Sequence, residues 1–169
     1  MKRKEITVEE LLQRYAAGER NFPFIQINDR KGIFDGSDLK GINLIGSSLT
    51  GATWFDTNLS GACLLAADLA GVGMNGVNLS DADLTGACLW GTNFTDANLS
   101  RCILEGANLR RAILWNANLL HASLDTAILA DADFTGAKYF AINDDMTGIL
   151  FWNTIMPDGT VVKGPTYIN

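Results

Sequence analysis

Stepping by five from Leu39 lands on a large apolar residue at every position from Phe34 to Tyr139. Sixteen of these 22 centres are Leu, and the others are Phe34, Trp54, Met74, Phe94, Phe134 and Tyr139. Two residues before each centre the side chain is small: Ala at 13 of the 21 positions from 37 to 137, otherwise mostly Ser, Thr, Val or Cys. The residue between them is Asp or Asn in 11 of 21 cases, as in Ala67-Asp68-Leu69 and Ala97-Asn98-Leu99, and the second residue after the centre is often Gly. In extended chain, side chains two apart share a face. The small residue and the centre therefore point inward together, and the Asp or Asn points out. The remaining two residues turn the chain, and Gly accepts the positive φ that such corners need. A helix cannot carry this pattern, because a strict period of five drifts around an axis of about 3.6 residues per turn. Long strands fail too, since the alternation never runs past three residues.

A second, longer period counts the sides of each coil. The bulky centres Phe34, Trp54, Met74, Phe94 and Phe134 recur at every fourth pentapeptide, with Leu114 the one plain member. Asp38, Asn58, Asn78, Asn98 and Asn118 recur at the same interval on the outward position of the next side. Four pentapeptides per coil explain both columns. The fold class is all-β, a parallel β-helix with coils stacked at about 4.8 Å, and five to six turns make a rod of about 25 Å. The expected buried core includes Phe34, Leu39, Trp54, Leu69, Met74, Leu84, Phe94, Leu109, Leu129 and Phe134.

The tandem units of Ala, Asp or Asn, Leu, any residue and Gly resemble the pentapeptide-repeat family over residues 32–141. The resemblance implies a right-handed quadrilateral β-helix. The start TVEELLQRYAAGERNF and the ending FWNTIMPDGTV are also similar to those of cyanobacterial members.

Three segments are expected: an N-terminal cap over 1–31, the repeat over 32–141, and a C-terminal capping tail over 142–169. A solenoid must cover its terminal rungs or polymerise through open edges. An amphipathic helix over about 7–17 suits that role, with Thr7 as N-cap, Glu10 completing a capping box and Gly18 as the stop. Leu11, Leu12 and Tyr15 share the face that would cover the first coil. At the other end the centre falls on Asp144, so the register breaks there. A restart at Ile149-Leu150-Phe151, two residues out of phase, implies a short insertion near Asn143–Gly148, and Pro157-Asp158-Gly159 marks a later turn.

Charge narrows the function classes. The net charge is −6, and residues 32–141, with five basic and eleven acidic side chains, carry all of the excess. A basic nucleic-acid footprint is absent, so direct nucleic-acid binding is not expected. No apolar stretch follows the basic MKRKEITVEE start, and no long apolar run of membrane-spanning length exists, so neither a secretory signal nor a membrane span is expected. Cys63, Cys88 and Cys102 are odd in number and lie in the repeat phase, reading as reduced side chains of a cytoplasmic protein.

No catalytic, cofactor-binding or metal-binding residue emerges. Gly71, Gly73 and Gly76 spell a dinucleotide fingerprint, but no helix follows them, and Gly71 and Gly76 are consecutive corners. Asn58, Asn78, Asn93 and Asn98 each open a glycosylation sequon only because the repeat spells it. His121 is the only histidine, which excludes a His-based metal cluster.

A binding function must therefore live on the outward positions. Phe55, Trp90, Arg110 and Trp115 are the candidate interaction surface, with Trp90 and Arg110, one coil apart, expected to form a cation–π pair. Asp81 with Arg101 and Arg111 with Asp131 are expected to stack as ion pairs. The leading function is a non-enzymatic, monomeric interaction or scaffold module with an unidentified protein partner. The resemblance also implies an alternative, DNA mimicry towards a type II topoisomerase, as in the quinolone-resistance members. An enzyme is the third alternative.

Overall fold

The computed structural model describes residues 3–27, 32–140 and 147–167. It contains strand β1 (Lys4–Ile6), helix α1 (Val8–Ala16), strands β2 (Ile25–Ile27), β3 (Gly32–Ile33) and β4 (Ala52–Thr53), and C-terminal strands β5 (Leu150–Phe151), β6 (Thr154–Ile155), β7 (Val161–Val162) and β8 (Thr166–Tyr167). Between β4 and β5 the described chain forms single-residue parallel bridges at the outward position of each pentapeptide.

Those bridges run in four columns, each stepping by four pentapeptides. One links Asp38, Asn58, Asn78, Asn98, Asn118 and Lys138, and a second links Asn43, Cys63, Asp83, Ile103 and Ser123. A third links Ser48, Asp68, Cys88, Asn108 and Ile128, and the fourth Gly73, Asn93, Ile113 and Asp133. Each coil thus places one bridge on each of four sides. All ten core residues expected above are fully buried.

Backbone hydrogen bonding explains the residue types. The N–H of each centre donates to the next coil, as Leu59 to the Asn78 carbonyl at 2.8 Å, and the outward residue donates to the previous one, as Asn58 to the Ser37 carbonyl at 2.8 Å. A third N–H closes the corner turn, as Ala62 to the Leu59 carbonyl at 3.0 Å, and the residue before it donates to the next coil, as Gly61 to the Ser80 carbonyl at 2.8 Å. The fifth N–H, on the residue after the centre, has no backbone acceptor. The outward Asx side chain supplies one: Asn58 Oδ1 accepts from the Ser60 N–H and Asn78 Oδ1 from the Ser80 N–H, both at 3.1 Å. This is an Asx turn, and it is why Asp and Asn dominate that position.

The corner residue two beyond the centre has positive φ whether or not it is Gly: 66° at Gly41, 60° at Asp81, 56° at Arg101 and 57° at Thr126. Buried hydroxyls at the small position find carbonyls of the previous coil. Thr57 donates to the Phe34 carbonyl at 3.0 Å, Thr92 to that of Leu69 at 2.8 Å and Thr154 to that of Leu129 at 2.8 Å.

The amide column is continuous. Asn58 Nδ2 donates to Asp38 Oδ1 at 2.8 Å, and Asn78, Asn98 and Asn118 each donate to the preceding Asn at 3.1–3.2 Å. Asn98→Ala removes a donor, an acceptor and the Asx bond to the Ser100 N–H. At about 0.5–1.5 kcal/mol per bond, we expect a loss of about 2 kcal/mol, read as a shifted midpoint in chemical denaturation.

Both ends differ from simple extrapolation of the period. The ladder begins within the expected cap, because Asn21 bridges Asn43 and Gln26 bridges Ser48, each pair two positions wider than the regular coil. Strand β1 then pairs in parallel with β2 to add one more layer. Helix α1 covers the N-terminal coil with Leu11 buried and Leu12 and Tyr15 packed against the core. Thr7 Oγ1 accepts from the Glu10 N–H at 3.1 Å, but the capping box is only half formed. The Glu10 carboxylate turns instead to Arg14, one turn on, at 3.2 Å, an (i, i+4) pairing of the kind that stabilises helices.

At the C-terminal end the register breaks earlier than expected. Tyr139, a centre by the period, is 69% exposed, and Phe140 takes the inward place, 8% exposed and stacked on Phe134 with centroids 4.3 Å apart. The expected break at Asp144 and the insertion from Asn143 lie largely outside the described residues. The restart is as expected: Ile128 bridges Leu150 and Asp133 bridges Ile155, again two positions wider than the regular coil. Strands β6 and β7 then form an antiparallel hairpin across the turn at Pro157-Asp158-Gly159, and β8 pairs antiparallel with β5.

Candidate functional site

Four corners follow the four sides, and each presents a column of residues just after the centres. One corner carries Thr50, Ala70, Trp90, Arg110, Ala130 and, after the two-residue offset, Trp152. The next carries Asp35, Phe55, Asn75, Thr95, Trp115 and Thr135. The side between them presents Gly73, Asn93, Ile113 and Asp133. All three tryptophans outside the core border this one side: Trp90, Trp115 and Trp152 are 45%, 47% and 46% exposed. The fourth, Trp54, is buried against Phe34.

The expected interaction residues therefore divide. Trp90 and Arg110 converge, with Arg111, Ala130, Asp131, Leu150 and Trp152, on a groove of about 450 Å³. Trp115 stands on the far corner of the same side. Nearby, the Thr135 backbone N–H and hydroxyl donate to Asp133 at 2.9 and 2.6 Å, and although burial pushes the Asp133 carboxyl up, polar partners hold it below the usual carboxylate range. Phe55 sits apart, several coils away, lining a shallower depression with Asp56, Asn75, Gly76 and Asp96. Its ring rests on Gly73, where a Cβ would come within 2.6 Å.

The cation–π pairing differs from expectation. Arg111, not Arg110, lies over Trp90, at 5.9 Å from the ring centroid. Arg111 sits one residue further round the corner and faces Asp131 of the next coil at 4.0 Å, so it occupies the space over Trp90. The Arg110 guanidinium is left without an ion pair or hydrogen bond among the described residues. The other expected pair is formed, Arg101 meeting Asp81 through two bonds of 2.6 and 2.7 Å. Sequence reasoning misses Trp152, because the offset hides its membership of the Trp90 column.

Among the described residues, no group of three or more His, Cys, Asp or Glu side chains is placed to hold a metal ion. Gly71 and Gly76 are corners with φ of 68° and 67°, consistent with a repeat origin for the dinucleotide-like spelling. Cys102 is buried and its thiol is pushed above the usual range by desolvation and by the nearby Asp83.

No curated protein matches the chain. Several solved structures are similar to it. A pentapeptide repeat protein of the Arabidopsis thaliana thylakoid lumen is 27% identical over 55% of this chain and 70% of its own, with a TM-score of 0.46. Rfr23 of the cyanobacterium Cyanothece 51142 is 25% identical over 82% of this chain and 90% of its own, with a TM-score of 0.35. QnrB1, a plasmid-mediated fluoroquinolone resistance protein, is 18% identical over 95% of this chain and 87% of its own, with a TM-score of 0.37. Eight repeat copies match the family of pentapeptide repeats over residues 37–76, 62–101, 78–116 and 102–138, and the chain belongs to that family.

Proposed function

We propose that this chain is a right-handed quadrilateral β-helix acting as a non-enzymatic, monomeric protein-interaction module in the cytoplasm. The observation that carries the reading is the grouping of Trp90, Trp115 and Trp152 with Arg110 and Arg111 around one side of an otherwise acidic rod. Scattered exposed apolar residues need no explanation, but Trp and Arg together are the residue types that dominate binding energy at protein interfaces. Non-repeat segments at both ends support a monomer, since they cover rungs that would otherwise be open edges. Three free cysteines fit a reducing compartment.

A photo-crosslinking residue at position 115 tests this, with the same residue at Ser80, on the corner diagonally opposite Trp90, as the control. In cells that naturally express the chain, we expect a discrete protein adduct from position 115 and none from position 80. Equal labelling from both, or from neither, overturns the assignment of this side.

DNA mimicry is the second reading, and the charge distribution weighs against it. Asp56, Asp68, Asp81, Asp96 and Asp131 are spread around the rod, and only Glu105 and Asp125 follow each other as like charges in one column. Arg101 further neutralises Asp81. We expect no inhibition in a gyrase supercoiling assay at low-micromolar protein; inhibition there would put mimicry first.

A further inference from the structure

We infer that the groove over Ala130 binds a peptide segment presenting an aromatic side chain beside a single carboxylate. This rests on the reading of the tryptophan–arginine side as a protein interface, and deepens it by naming what the partner brings.

The column order makes the slot. Trp90, Arg110, Ala130 and Trp152 occupy successive coils, so a methyl group stands between two of the largest side chains on the corner. At about 4.8 Å per coil, Arg110 and Trp152 are spaced about 10 Å apart. That gap admits one planar ring over the Ala130 methyl, with the guanidinium on one face and the indole on the other.

Two donors at the slot lack acceptors among the described residues. The Arg110 guanidinium is one. The other is the backbone N–H of Ala130, because its outward residue is Ile128, where most sides carry an Asx acceptor. Arg110 shows the contrast: its own backbone N–H is satisfied by Asn108 Oδ1 at 3.3 Å. Ala130 is buried at the groove floor, so its N–H is screened from bulk water. An unsatisfied buried donor is costly and calls for an acceptor. A carboxylate meets the guanidinium and the N–H together.

The charge balance selects a peptide over a polyanion. Arg110 and Arg111 with Asp131 leave the groove one net positive charge, and Arg111 is already turned to Asp131 and Trp90. Asp131 repels a second anionic group, and the net charge of −6 repels a phosphate chain.

The test is a titration of the full chain with capped Gly-Glu-Phe-Gly, following tryptophan indole N–H resonances by NMR. We expect saturable shifts at Trp90 and Trp152 and none at Trp54. Arg110→Gln is expected to weaken binding at least tenfold with an unchanged melting temperature, and Ala130→Leu, which fills the slot, is expected to weaken it as much. Replacing Glu by Lys, or Phe by Gly, in the peptide is expected to do the same. No shift at millimolar peptide, undiminished binding by Ala130→Leu, or stronger shifts from a single-stranded oligonucleotide would each overturn the proposal. The crosslink from position 115 separates the two levels: if it forms while the peptide fails, only the slot is wrong. If it too is lost, the interface reading falls with it.

Discussion

Leu84→Ala is expected to destabilise the protein by about 2–5 kcal/mol, the range for truncating a buried leucine, whereas Ser80→Ala, four residues earlier, is expected to be nearly neutral. Leu84 is a centre with no solvent exposure, and its neighbours in the column lie one coil away on either side. In a coil stack each inward side chain is roofed and floored by the same position of adjacent coils. Those coils are fixed by hydrogen bonds such as Leu84 N–H to the Ile103 carbonyl at 2.8 Å, so the backbone cannot close in on a cavity. Truncation therefore costs the transfer free energy together with most of the cavity term, placing the loss in the upper part of the range for buried Leu→Ala. Ser80 stands on a corner, and its backbone N–H, the group that matters there, is held by Asn78 whatever side chain position 80 carries. Chemical denaturation of the two variants checks this, and equal effects would contradict the inward–outward assignment along the repeat.

Phe140→Ala should cost about 3 kcal/mol and Tyr139→Ala less than about 0.5 kcal/mol, ranges ordinary for a buried aromatic and for a surface residue. Here the period and the structure give opposite answers. Counting by five makes Tyr139 the centre. In the structure Tyr139 takes the corner-like positive φ of 60°, and Phe140 turns inward to stack on Phe134. The reason is local: Lys138 is the last rung of its column among the described residues, so no described rung at the regular interval holds Tyr139 in register. The ladder resumes two residues out of step. An inverted result, with Tyr139→Ala the more damaging, would show that the repeat continues undisturbed through residue 139.

The interior was legible in the sequence because it is redundant. Each centre is constrained by the same two neighbours, so one rule places Leu39 and Leu129 alike. The four-pentapeptide column also puts Asn58 to Asn118 one above another, where their amides link, and foretold the Asp81–Arg101 pair, since both need only vertical stacking. What escaped was set by departures from the period. The two-residue offsets before β3 and before β5 hid the early start of the ladder at Asn21 and the place of Trp152 beside Trp90. The choice of Arg111 over Arg110 for Trp90 is a contact between neighbouring columns, which stacking within one column does not reach. One further signal is present in the chain. Where the outward Asx is replaced, as by Cys88, Ile113 and Ile128, the following N–H loses its side-chain acceptor, and those following residues are Trp90, Trp115 and Ala130. Breaks in the Asx rule also fall on other sides, as at Cys63, Ile103 and Ser123, so the signal marks open N–H groups and does not by itself single out one side.

The measurement that bears most directly on this account is the set of through-hydrogen-bond couplings between amide nitrogens and carbonyl carbons in the folded protein. The four-sided coil predicts couplings from Leu84 nitrogen forward to the Ile103 carbonyl and from Asp83 nitrogen back to the Ala62 carbonyl. The same forward and backward steps should recur at Leu59 with Asn78 and at Asn58 with Ser37. Couplings at any other constant step would contradict the coil of four pentapeptides, and with it the grouping of Trp90, Trp115, Arg110 and Arg111 on one side.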